Sequence, residues 1–470
     1  MRRILIFVLL LFLAAKIAFF ISIGPSAMQR DARGYWEHSS LVMQGDVLMQ
    51  GTAIAYRTPA YPWFLALARL ISGSSLLFIA IFQGAFYLAS VWMAAVLASR
   101  ISRHSSAKVF TLLVMLPAVS ALTYVSATLT ETYFVFLLML NLITVSDYTK
   151  YETKTRAVLV GFTFGLTLLT RPVVLLIWVA HIVFALLIHM RRKLRHGNHV
   201  QVPLSQHIKN MLLAGIVVVV MVAPWVGRNY AMFGKPFLTE FLGRNLWIVA
   251  FQGGSGAGLK MPNTVDAKEL KERLTSATDG SWQSTKWRRT WTVSDLLTKS
   301  GLDDAETDRL MKQVAFDAME QDPPTVRYKS VRRIVNFWRC PATNLPSPSA
   351  ETENAATPQT WTIGQRGIRY VNKWKSLRIS QSVWLNTVLM ATIFAAVFFL
   401  LWYWPTRPFG IWILLMLAYF CVLTGLVEIP DYRYRLVVEP IAGMAIGAVL
   451  AIAWSKYCDV EPELELEIDS

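Results

Sequence analysis

The sequence predicts an all-α polytopic membrane protein with about ten transmembrane helices and an extracytoplasmic, largely helical domain. Three observations predict it. Of 470 residues 54% are hydrophobic and 16% charged, and the mean hydropathy is +0.41, a balance that no set of soluble domains shows. Apolar runs of membrane-crossing length recur along the chain. The lysines and arginines fall in the gaps between those runs, so the net charge of +16 reflects topology and not nucleic-acid binding.

The first run, "MRRILIFVLLLFLAAKIAFFISIG", starts like a secretory signal, but its apolar stretch is too long for one and no small-x-small cleavage site follows. It is therefore expected to span. Further spans are expected at 75–99, 109–125, 133–145, 157–170, 173–190, 211–226, 383–402, 411–427 and 436–454, with 133–145 and 157–170 short enough to be tilted or re-entrant. The chain then divides into a membrane core 1–227 with an outer loop 24–74, an extracytoplasmic domain 228–382, C-terminal spans 383–455 and an acidic, solvated cytoplasmic tail 456–470. The three cysteines imply no disulfide framework.

Orientation follows from the basic residues of the short loops. With the N-terminus cytoplasmic, the inner loops carry Arg100, Arg103 and Lys108, then Lys150, Lys154 and Arg156, then "RRKLRHG" from Arg191. The outer face then receives "DARGYWEHSS", "RTPAYP", "TLTETY", "LTRP", the segment 228–382 and "EIPDYRYR". Every chemically interesting short stretch falls on one side. Arg57, Arg171, Arg228, Arg433 and Arg435 are retained there against the positive-inside bias, which suggests an anion. Short loops and the lack of a eukaryotic sorting signal point to a bacterial inner membrane, with both termini cytoplasmic.

Within 228–382, "GGSGAGLKMPNTVDAKEL" is expected to be loop. "SDLLTKSGLDDAETDRLMKQVAFDAMEQDPP" predicts one helix with Ser294 as N-cap and Pro323 and Pro324 as stop. "TVRYKSVRRIVNFWRCP" is amphipathic, and suits either a helix on the bilayer surface or one packed within the outer domain. Trp36, Trp63, Trp225, Tyr230, Trp247 and Trp402 lie near span boundaries as an aromatic belt, with Trp36 and Trp247 also able to stack on a sugar. His189, His196 and His199 fall on the inner side, where no metal site is expected.

"DARGYW", "YRTPAYPWFLAL", "LTETYFVFLLML", "GLTLLTRPVVLL", "PWVGRNYAMFG" and "DYRYRLVVEPIAG", in that order, resemble the integral-membrane glycosyltransferases that use polyprenyl-phosphate sugars, the GT-C superfamily of the protein mannosyltransferases and the lipid A aminoarabinose transferase. The likeness covers 1 to about 230 and 380 to 455. It implies inverting hexosyl or pentosyl transfer from a polyprenyl-phosphate donor to an extracytoplasmic acceptor, an envelope lipid, glycan or protein. By that resemblance Asp31 is the catalytic base, with Glu37 and Asp46 as competitors. Arg228, Arg433, Arg435, Arg57 and Arg171 are the candidates for holding the donor phosphate. Arg433 and Arg435 diverge on a helix, so only one of them would reach the donor there. Tyr35, Tyr61 and Glu131 are supporting residues. Glu131 is open to three readings: orienting Asp31's partner, holding a divalent cation, or complementing a helix N-terminus. No other cofactor is implied, and no Walker, Rossmann or zinc-protease motif occurs. The alternatives are an envelope-polysaccharide polymerase, which would transfer whole repeat units, and a secondary transporter, whose charges should lie at midplane.

Overall fold

The computed structural model describes residues 1–23, 28, 31–196, 202–252, 258–278, 287–341 and 382–458. Among them all regular structure is helical. Eight helices are long and apolar enough to cross a membrane: Arg2–Ile21, Leu76–Ser102, Thr130–Tyr151, Pro172–Leu194, Leu204–Phe233, Val383–Trp402, Trp404–Val427 and Tyr432–Tyr457. The last is the most enclosed, whereas the first and Leu204–Phe233 present much of their length outward. Their outward side chains include Ile4, Phe7, Leu10, Leu212, Ile216 and Val219, an apolar exterior suited to lipid and unfavourable in water.

The other two expected runs lie in shorter helices among the described residues. The run 157–170 lies in the 17-residue helix Lys154–Thr170. Arg171, just beyond it, bonds Glu131 in the first turn of Thr130–Tyr151, so the two helices are antiparallel and span the same thickness. The run 109–125 is not one helix but Ser106–Met115 followed by Ala121–Val125. Pro117 in the break has no N–H to continue the ladder. Lys16 restores the balance from the first helix: its ammonium donates to the carbonyls of Met115, Leu116 and Ala118 at 3.0, 3.0 and 3.1 Å. Gln83 serves the far end, donating to Val125 and Ala127. The 133–145 run is longer than its apolar residues suggest, because Thr130–Tyr151 has 22 residues and satisfies its polar members internally. Asn141 is the example: it donates to Val160 O and Thr163 Oγ1 and pairs with His181, which accepts from Trp412.

The polar segment starts later than expected. Leu204–Phe233 continues through Arg228 and closes on Gly234, whose left-handed φ of 70° favours glycine. Beyond it Leu242–Phe251, Val265–Ser276, Thr290–Lys299 and Asp304–Gln321 enclose a small core of Trp247, Leu270, Val293, Leu297, Met311 and Val314. Trp247 is thus core and not belt, its indole donating to Trp287 O. Trp36 lies under the Arg69 guanidinium, 3.9 Å from its centroid. Tyr230 and Trp402 remain exposed. The stretch "VDAKEL", expected as loop, is helical from an N-cap at Thr264. The single helix expected from Ser294 to Pro323 is two helices, broken at Gly301 (φ 96°) and restarted by a capping box of Asp303 and Glu306. Ser294 is inside the first of them, bonded to Arg244. Asp304–Gln321 ends just before Pro323, as expected of a stop, and Pro323 also opens the next helix, Pro323–Arg339. That helix packs on Trp404–Val427, with Ile334 against Gly425 and Arg333 donating to Gly425 O at 2.8 Å. Residues 342–381 and 459–470, and with them most of the acidic tail, lie outside the described residues.

The helix pairing brings Asp31, Arg57, Glu131, Arg171 and Arg433 to one end of the bundle and Arg103, Lys154 and Arg192 to the other. Which end faces the cytoplasm is tested by single cysteines and a membrane-impermeant thiol reagent on intact cells. Positions 31, 171 and 240 should label from outside and positions 103, 154 and 192 only after permeabilisation. External labelling at 103 would invert the protein in the membrane.

Candidate active site

At one end of the bundle two carboxylates and three guanidiniums meet. Arg433 joins them: its Nε donates to Glu131 Oε1 and its Nη1 to Asp31 Oδ2 at 3.1 Å. Arg171 donates to the same Glu131 oxygen at 3.0 Å. Arg57 approaches Asp31 from the other side, with Nη2 3.9 Å from Oδ1 and Nη1 3.4 Å from the backbone carbonyl. Glu131 is fully enclosed while the Asp31 side chain is 42% exposed, so Asp31 is the carboxylate that a ligand can meet. Three guanidiniums face two carboxylates, and the cluster carries an excess positive charge.

Each member is set by local structure. Asp31 opens the helix Asp31–Met43, where a carboxylate suits the positive end of the helix dipole. Gly34, one turn on, leaves room for Arg57: a Cβ there would lie 2.1 Å from Arg57 Nη1. The "DARGYW" and "YRTPAYP" stretches therefore fit as a pair. The Arg57 guanidinium also lies over Tyr35, 4.5 Å from the ring centroid. Thr58 donates to Thr170 O at 3.0 Å, tying the Arg57 turn to the end of Lys154–Thr170, immediately before Arg171. Arg433 lies in the short helix Tyr432–Arg435, whose N-cap Asp431 accepts from the Arg433 N–H.

Other expected members stand apart. Arg228 is 3% exposed and spent on backbone, donating to Met49 O at 2.9 Å, Ile54 O at 3.1 Å and Thr52 O. It holds the outer loop in shape. Arg435 is buried in the opposite direction from Arg433, donating to Trp338 O at 2.8 Å and Cys340 O at 3.1 Å. The divergence expected on a helix is what separates them. Tyr61 is a buried layer beneath the cluster, its ring edge-on to Tyr35 and its hydroxyl donating to Gln83. Asp46 closes a local turn by accepting from the Gln50 and Gly51 amides, and Glu37 is exposed. Of the three carboxylates weighed as base, only Asp31 joins the arginine cluster.

Sequence reasoning missed Glu428. It lies in "EIPDYRYR", half-buried between the last two spans, and shares a hydrogen bond with Tyr434. Burial pushes its carboxyl up to about 7, against the opposing pull of Tyr434, Arg433 and Arg171. The only signal was an acid five residues before Arg433 in an outer loop. Burial likewise pushes the Tyr35 phenol up, with Arg57 opposing, so Tyr35 is a neutral donor.

No protein-family model matches the chain, and no curated protein matches it. Among solved structures it is similar to the crystal structure of ArnT from Cupriavidus metallidurans in the apo state, at 12% identity and a TM-score of 0.36, over 95% of this chain and 76% of that one. A likeness of that degree assigns no function, and the arginine–carboxylate cluster has to be interpreted from its own chemistry.

Proposed function

We propose that the protein is a membrane glycosyltransferase that moves a sugar from a polyprenyl-phosphate donor to a hydroxyl acceptor, with Asp31 as base and Arg433, Arg171 and Arg57 as the anion-holding groups. One observation carries the proposal: a partly exposed carboxylate is held at 3.1 Å by an arginine of a net positive cluster at the end of a membrane bundle. Such a site places a proton acceptor beside a place for a phosphate. The six stretches resembling polyprenyl-phosphate sugar transferases support the same reading, since five of them supply the cluster.

Asp31 takes the proton of the acceptor hydroxyl as that oxygen bonds to the anomeric carbon from the face opposite the phosphate. The bond from carbon to phosphate oxygen breaks, and its electron pair leaves with the polyprenyl phosphate. Arg433, Arg171 and Arg57 receive the charge that develops on that oxygen. Attack opposite the leaving group inverts the anomeric centre. Arg228 and Arg435 do not touch the donor in this scheme; they hold the loop 49–54 and the end of Pro323–Arg339 around it. The placement of this chemistry on the extracytoplasmic face of a bacterial inner membrane belongs to the proposal. The direct test incubates purified protein with a panel of polyprenyl-phosphate monosaccharides and measures release of polyprenyl phosphate. Blanks across the panel would favour a polymerase that accepts only whole repeat units.

Three outcomes are expected of variants. Asp31→Asn removes nearly all turnover while donor affinity changes by no more than a few-fold, because the base acts on the acceptor proton; a variant with most of its rate would dismiss Asp31 as base. Arg433→Ala weakens donor binding by about 30-fold to several hundred-fold, corresponding to roughly 2–4 kcal/mol for a charge-assisted contact. Arg228→Ala instead lowers the thermal midpoint and leaves the affinity of the folded fraction within a few-fold; equal binding losses in both variants would restore Arg228 to the site. Donor affinity also falls as pH rises through about 7, where Glu428 ionises beside Arg433 and Arg171. A charge roughly 10 Å away is worth about 1–2 kcal/mol, or about tenfold. The donor phosphodiester does not titrate there, so Glu428→Gln should flatten the profile, and an unchanged profile would assign the step to another group.

A further inference from the structure

Glu152, His189 and His207 come from three elements and converge at the other end of the bundle. Glu152 caps Thr130–Tyr151 in a left-handed conformation (φ 46°), His189 lies late in Pro172–Leu194, and His207 lies in the first turn of Leu204–Phe233. All three are buried, at 4%, 2% and 0% exposure. From each, one nitrogen or carboxylate oxygen lies within 4.8 Å of the others. Glu152 Oε2 is 3.1 Å from His189 Nδ1 and 3.5 Å from His207 Nδ1.

We infer that these three side chains form a binding site for a divalent transition metal, of which zinc is the best match. Ligand atoms about 2.0–2.1 Å from a zinc ion at tetrahedral angles stand roughly 3.3 Å apart, and the two distances bracket that value. Two imidazoles and one carboxylate suit zinc and its neighbours and are a poor set for magnesium or calcium. His207 supplies a second, independent sign. Its Nε2 is buried without a hydrogen-bond partner, polar capacity that the protein does not fill.

The surroundings orient the three groups as metal ligands are oriented elsewhere. Arg192 donates to Glu152 Oε1 at 3.2 Å and to Lys150 O at 3.2 Å, which fixes the carboxylate and leaves Oε2 as the oxygen shared by both imidazoles. Asn210 donates to Glu152 O at 2.7 Å, with Gln206 behind it donating to Asn210 Oδ1 at 2.9 Å. The Tyr148 hydroxyl, 3.2 Å from His207 Nδ1, adds another oxygen beside the cluster. Glu152 and Glu131 are at opposite ends of one 22-residue helix, about 30 Å apart at 1.5 Å per residue. The metal therefore takes no part in the proposed transfer. It clasps the turn after Thr130–Tyr151 to the ends of two other spans, an assignment independent of the proposed activity.

The test uses the full chain in detergent, stripped with a chelator and checked for folding by its thermal midpoint. Zinc titration followed by elemental analysis should give about one ion per chain and a raised midpoint. Cobalt should give the intense visible absorption of a tetrahedral centre. His189→Ala and His207→Ala should weaken zinc binding by roughly 100-fold or more, whereas the paired change His196→Ala and His199→Ala should leave it intact. Folded wild-type protein that takes up no zinc and shows no midpoint shift would make the cluster an ion-pair network and overturn the site. So would zinc held equally well by the two histidine variants, or lost with His196 and His199. If the alanine variants do not fold, the wild-type zinc stoichiometry and cobalt spectrum still decide.

Discussion

The buried carboxylate of Glu131 fixes the arrangement of the candidate active site. A charge with no exposure is tolerated only if cations reach it, and here two do, from residues 40 and 302 positions away in the chain. Their convergence brings together the start of one span, the end of the next and the start of the last. Arg433 then has a second nitrogen to spare, and that nitrogen holds Asp31. The exposed acid is thus positioned by the enclosed one. Of the three readings open to Glu131 in the sequence, the geometry matches the orienting of Asp31's partner.

Buried cations here serve two purposes that look alike in a sequence. Lys16, Arg228, Arg333 and Arg435 donate to backbone carbonyls, and each does so where the backbone is irregular or a helix ends. Once buried, such carbonyls have no water to turn to, so a long basic side chain substitutes for it. Arg171 and Arg433 instead face carboxylates, which keeps their guanidiniums beside a ligand-accessible surface. The excess of arginine on one face therefore has a double origin. Part satisfies backbone, and only the remainder is available to an anion.

Much of the fold was legible because the bilayer restricts it. Eight spans followed from apolar length alone, and the short runs 133–145 and 157–170 lie within helices of 22 and 17 residues. What misled was polarity inside a span: Asn141, Thr163 and Thr149 cut the hydropathy signal of Thr130–Tyr151 and its neighbour, yet they satisfy one another or nearby carbonyls. The break near Pro117 was invisible because its compensation comes from Lys16, about 100 residues away. Asp31, Arg57, Arg171 and Arg433, singled out by residue type and order, lie together in one cluster. Arg228 stands apart because an outer loop returns to it, a tertiary fact, and Arg435 points away from Arg433 by the divergence expected on a helix. Ser294 and Trp247 failed for one reason: a cap and a belt were inferred locally, while both side chains point into a domain core.

The two ends of Thr130–Tyr151 follow a common plan. Each carries an enclosed carboxylate, Glu131 or Glu152, and each carboxylate gathers basic side chains from other elements. At the Glu131 end the partners are arginines, permanently charged, and the surplus charge is partly exposed. At the Glu152 end two partners are imidazoles, which bring no obligatory charge and offer lone pairs, and both are enclosed with the carboxylate. The same helix thus supports a surface that attracts an anion at one end and a cage suited to a cation at the other.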